Sequence, residues 1–91
     1  IAVITKRESL EEIRNTIEID DQEMIIKGYP ATTVEEALKQ SIIAERDGVD
    51  AIICGPITAY TIEDILYTPV IGLDVGSKQI RSAVKTAVKK I

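Results

Sequence analysis

A chain of 91 residues holds one compact domain and leaves no room for a second core. Its net charge is −4 and its cations are scattered, so direct nucleic-acid binding is not expected of it. One cysteine excludes an internal disulfide, and the lack of histidine excludes imidazole catalysis and His-ligated metal sites. No apolar run approaches the roughly 20 residues that span a bilayer, so no membrane partner is expected and a reducing cytoplasm is the simplest setting. The chain starts at Ile1 rather than Met, which suggests a segment of a longer protein.

Ile1-Ala2-Val3-Ile4 reads as a buried central strand. Ser9 and Glu12 fit a capping box, and Leu10, Ile13 and Ile17 then fall on one helical face. Ile19-Asp20-Asp21-Gln22 reads as a polar connector, and Glu23 to Gly28 as a second, edge strand. Thr33 and Glu36 repeat the capping box ahead of a stripe of Val34, Ala37, Leu38, Ser41 and Ile42. Gly48 is expected to end that helix in the left-handed region. Ala51-Ile52-Ile53 is a strand with no polar interruption, and Gly55-Pro56 closes it. Thr61 with Asp64 predicts a third cap before a short helix carrying Ile62, Ile65 and Leu66. Val70 to Val75 is the fourth strand. Ser77 is placed to cap a last helix, whose Ile80, Val84, Ala87, Val88 and Ile91 share a face.

Strand and helix thus alternate four times. That pattern predicts an α/β fold with a four-stranded parallel sheet, strand order 2-1-3-4, and helices on both faces. The architecture is flavodoxin-like, or like one lobe of a periplasmic binding protein. The order reverses between strands 1 and 3, which opens a crevice at their carboxyl ends. The segments Thr5 to Ser9 and Cys54 to Tyr60 are expected to meet there.

The candidate ligand contacts follow from that crevice. Lys6 and Arg7 precede a helix start, and with the amides near Ser9 they can hold a carboxylate or phosphate. The alternative is that both cations neutralise Glu8, Glu11 and Glu12. Thr5, Gly55 and Thr58 add polar or backbone contacts, and Ser77 either caps its helix or joins the anion site. Cys54 is either a reactive thiol or a small hydrophobe at a strand end. Neither the phosphate-cradling glycine-lysine loop nor the dinucleotide glycine fingerprint is present, which disfavours nucleotides. Neither a cofactor nor a metal is expected. Receiver domains share the strand count, but Thr5 and Lys6 stand where they need acidic residues.

Thr33 to Val84 resembles the amino-terminal sensory domain of propionate-catabolism activators, the PrpR-type domain of sigma-54-dependent regulators. The residues concerned are Val34-Glu35-Glu36-Ala37, Gly48-Val49-Asp50-Ala51-Ile52-Ile53, Thr58-Ala59, Thr68-Pro69-Val70-Ile71 and Ile80-Arg81-Ser82-Ala83. Where that family has Arg-Gly-Gly, this chain has Gly55-Pro56-Ile57. The resemblance implies residues 1–91 as one sensory lobe of a longer bacterial regulator. It would bind a small organic acid or other anion and signal to a second lobe, an ATPase and a DNA-binding domain in the same parent chain. It implies no enzymatic activity.

Two other readings stay open. Cys54 could belong to half of a two-cysteine racemase, since aspartate/glutamate racemases share apolar-strand-then-Cys loops. Alternatively, the last helix could offer its apolar stripe to a partner or a second copy.

Overall fold

The computed structural model describes residues 1–73 and 79–91. Along the chain it forms β1 (Ala2–Thr5), α1 (Arg7–Glu11), β2 (Thr16–Ile19), β3 (Gln22–Ile25), β4 (Lys27–Pro30), α2 (Val34–Arg46), β5 (Ile52–Cys54), α3 (Pro56–Ile62), β6 (Val70–Gly72) and α4 (Ile80–Lys90). Four strands make one parallel sheet in the order β4-β1-β5-β6. Numbered among themselves along the chain, those four stand in the expected order 2-1-3-4.

Side chains alternate across this sheet as the period of two demands. Val3, Ala51, Ile53 and Ile71 face α4, where Ile80, Ala83, Val84 and Ala87 cover them. Ala2, Ile4, Tyr29, Ile52 and Cys54 face α2 and α3, against Ala37, Ala44, Ala59 and Ile62. The move from β1 out to β4 uses the α4 face. The moves from β4 to β5 and from β5 to β6 run the other way and use the opposite face, as crossovers of one hand require. Ile80, Val84 and Ala87 of the expected α4 stripe are therefore buried on the sheet, with Val88 partly buried beside them and Ile91 exposed.

The first third departs from the sequence expectation. Ser9 lies inside α1 rather than capping it; the N-cap is Lys6, with no side-chain hydrogen bond. The helix stops at Glu11, and Ile13 and Ile17 do not continue it. Thr16–Ile19 instead pairs antiparallel with Gln22–Ile25 as a hairpin. Its two turn residues, Asp20 and Asp21, have φ of 51° and 67°. Positive φ at both central positions marks a type I′ turn, the one that matches strand twist. The signal is in Thr-Ile-Glu-Ile, a polar–apolar alternation rich in β-branched residues that outweighs two helical spacings. The strand in the main sheet is consequently Lys27–Pro30, several residues later than expected. Asparagine and glycine suit this turn better than two aspartates. The double substitution D20N/D21G is expected to raise stability by on the order of 0.5–1 kcal/mol, read as a higher urea midpoint at unchanged m.

In α2 the buried positions are Ala37, Ser41 and Ala44, while Val34 and Ile42 are partly exposed. The helix thus lies on the sheet through Ala37, Ser41 and Ala44, with Leu38 packed beside them, while Val34, Ile42 and Ile43 at the edges of the expected stripe face outward. Ser41 is fully buried and donates its hydroxyl to the Leu38 carbonyl at 2.7 Å. The helix ends in a Schellman motif. Gly48, at φ 82°, donates to Glu45 O at 3.0 Å, and Val49 donates to Ala44 O at 3.3 Å.

Two carboxylates at that helix end tie it to its surroundings. Glu45 accepts from the amides of Thr68 and Tyr67, both at 2.9 Å, and these bonds hold its carboxyl below the usual range. Asp47 accepts from the Tyr29 hydroxyl at 2.7 Å and from Lys27 Nζ at 3.0 Å, and its carboxyl is lowered likewise. A carboxyl lowered in the folded state contributes stability above its unfolded pKa, and this is lost as pH falls through the folded value. The urea midpoint is therefore expected to drop as pH falls below the ordinary values of 4.5 for Glu45 and 3.8 for Asp47. Glu45→Gln should flatten part of that dependence.

Candidate functional site

Three β-to-α connections converge at the carboxyl edge of the sheet. Thr5 and Lys6 leave β1, Ala31 to Val34 leave β4, and Gly55 to Thr58 leave β5. They surround a crevice of about 310 Å³, with Ile4 and Ala37 at its base. The strand order switches between β1 and β5, which run parallel, and this switch point places the crevice there, as at the ligand sites of open α/β sheets. A volume of that size lies at the small end of ligand pockets.

The β5 connection is built by two residues. Gly55 is the N-cap of α3 in extended conformation, and Pro56 is the first helical residue. Proline suits that position because its φ is already helical and the missing N–H would have had no partner. The Gly-Pro pair that ends the strand therefore also starts the helix, and its N-cap Gly55 stands six residues before the expected cap at Thr61. Thr61 sits inside α3 and donates its hydroxyl to Ile57 O at 3.1 Å. Gly72 lets α3 lie close, since a Cβ there would come 2.7 Å from Ala59 Cβ and 3.2 Å from Pro56 Cα.

The β4 connection was not foreseen as a wall of the crevice. Thr33 caps α2, accepting from the Glu36 amide at 3.1 Å, as the capping box predicts. The returning carboxylate departs from the box. Glu36 Oε1 accepts from the Thr32 hydroxyl at 2.9 Å and, at 3.5 Å, from that of Thr33. The amino end of α2 thus already carries an acidic group of its own. The general rule that every β-to-α loop of a parallel sheet lies at the carboxyl edge would have placed this segment, once β4 was positioned correctly.

The expected contacts fall into three groups. Thr5, Lys6, Gly55 and Thr58 line the crevice together, with Lys6 exposed and the other three half-buried. Arg7 lies outside it, in a neighbouring groove of about 400 Å³ with Glu8, Glu36 and Gln40. Ser9 is half-buried within α1 and lines neither hollow. Cys54 is fully buried on the α2 and α3 face, and burial pushes its thiol up to about 11. Ser77, with Asp74 and the end of the expected fourth strand, lies outside the described residues.

Chemically the crevice offers one ammonium, threonine hydroxyls and backbone amides. Its lining includes no carboxylate, thiol or imidazole. Among the described residues no three His, Cys, Asp or Glu side chains gather as a metal site. A further hollow of about 350 Å³ lies between the hairpin and α4, lined by Glu12, Arg14, Ile17 and Ile80 among others. Its charges are mixed and it lies away from the switch point. Among the described residues no helix is long and apolar enough to cross a membrane.

No family model matches the chain, and no solved structure matches it. Its sequence is 37% identical over 92 residues to an uncharacterized HTH-type transcriptional regulator of Methanocaldococcus jannaschii. The match takes in 100% of this chain and 54% of that protein. The chain therefore spans about half the length of the curated relative it matches. The similarity is to a transcriptional regulator, and no PrpR-type or sigma-54 domain is shown by it.

Proposed function

We propose that this chain is a non-catalytic regulatory lobe of a transcriptional regulator and binds a small anionic organic ligand in the crevice at its carboxyl edge. The observation that carries the ligand reading is the meeting of Lys6, Thr5 and Thr58 with the amides after Gly55 in one small hollow at the switch point. The regulator reading rests on the relative. The part of that protein left unmatched is shorter than the matched part. The lobe would signal to a DNA-binding part, in keeping with the helix-turn-helix type of that regulator. The parallel sheet and its order support kinship with single lobes of the flavodoxin-like or binding-protein type.

Binding would bias the regulator only so far as the ligand prefers one arrangement of lobe and partner over another. The Cys-dependent enzyme is the weaker reading, because a fully buried thiol raised to about 11 is protonated at neutral pH. An NMR titration with small carboxylates and inorganic phosphate tests the site. Shifts are expected at Thr5, Lys6, Gly55, Ile57 and Thr58. Lys6→Ala should weaken binding about tenfold, as losing one charge-assisted hydrogen bond does. No shift at these residues with any probe overturns the ligand reading.

A further inference from the structure

The outward face of α3 is unusual for a helix on the surface. Ile57 is 77% exposed and Tyr60, one turn on, is 81% exposed. Val34, which lines the crevice beside Ile57, is 43% exposed and extends the apolar rim across its mouth. No charged residue occurs in Pro56–Ile62. The outward face of α4 presents Arg81, Lys85 and Lys89 at intervals of four, and that of α2 mixes Glu35, Lys39 and Arg46 with the partly exposed Ile42 and Ile43, whereas α3 presents no charge. Exposed aromatic and aliphatic side chains that adjoin are the usual anchors of protein interfaces.

We infer that this face docks a second copy of the chain, α3 against α3 across a two-fold axis. A two-fold interface sets one patch against itself, so like charges in it would repel. In a chain of net charge −4, α3 provides an uncharged patch that can meet its own image. Two-fold packing of antiparallel helices also brings the start of one α3 beside the end of the other. Lys6 adjoins the start, in the crevice lining with Gly55 and Ile57, while Glu63 and Asp64 follow the end. All three are exposed, and none is in an ion pair among the described residues. The rim charges are thus complementary between copies, around an apolar centre. The choice of a second copy also rests on the regulator reading, since helix-turn-helix proteins commonly read paired half-sites as dimers. An apolar centre of three side chains is modest against the roughly 20–30 residues a side of a standard interface, so the isolated lobe should associate weakly.

Sedimentation velocity of the 91-residue chain, without ligand, from about 10 µM to about 1 mM tests this. The expected result is a mass that rises from 10.0 kDa toward twice that value. Ile57→Asp and Tyr60→Asp should each weaken association at least tenfold with an unchanged circular dichroism spectrum, both side chains lying in solvent. Amide broadening on concentration should centre on Val34 and residues 57–61. A 10.0 kDa species at every concentration overturns the inference. So does a dimer that both substitutions leave intact, or growth beyond a dimer. The ligand titration is made on dilute protein, so either reading can fail without the other.

Discussion

Replacing Ile53 by alanine is expected to destabilise the fold by about 2–5 kcal/mol. Ile53 is fully buried at the centre of the sheet, in register with Val3 on one side and Ile71 on the other. It shares its cluster with Ile80, Ala83 and Val84 of α4. Small alanines on the facing helix cannot close in further, so the removed carbons leave a cavity that collapses poorly. A domain of this size has a total stability of about 5–15 kcal/mol, so the variant should sit near the edge of folding. Urea denaturation followed by circular dichroism measures it, with a lower midpoint at unchanged m. A loss under 1 kcal/mol would mean that α4 does not pack on β5 as described.

Gly72→Ala is the second large effect, and it acts through overpacking. The new methyl would stand 2.7 Å from Ala59 Cβ and 3.2 Å from Pro56 Cα. Neither atom can swing aside as the tip of a long side chain can. The first turn of α3 must lift from β6, at a cost of about 1–3 kcal/mol. That turn is also one wall of the crevice. Amide shifts should therefore reach Gly55, Ile57 and Thr58 as well as the mutated strand. Ala59→Gly in the same chain should recover part of the loss, a non-additive pair that a double-mutant cycle exposes.

Much of the architecture was legible because buried parallel strands have plain sequences. Ile1-Ala2-Val3-Ile4 and Ala51-Ile52-Ile53 leave no polar residue to confuse the reading, and their position at the centre follows. The end of α2 was equally plain, since Gly48 has the positive φ expected of it. The hairpin was obscured because Leu10, Ile13 and Ile17 have helical spacing, yet only Leu10 lies in a helix. Aspartates at positive φ hid its turn further, since glycine or asparagine normally marks one. In the crevice, Thr5, Lys6, Gly55 and Thr58 could be placed from strand order alone. Arg7 and Ser9 could not, because successive residues of a helix point in different directions: Lys6 lines the crevice while Arg7 already lines the next groove.

Cys54 gives this molecule a built-in gauge of its own breathing. The thiol is the chain's single one, fully shielded beneath α2 and α3, and almost wholly protonated at neutral pH. A disulfide reagent such as dithionitrobenzoate reaches it only when those helices part from the sheet. The rate of labelling, compared with that of the unfolded chain, then reports how often this face opens. A ligand held in the crevice, or a partner seated on α3, should slow that clock without touching the sulfur.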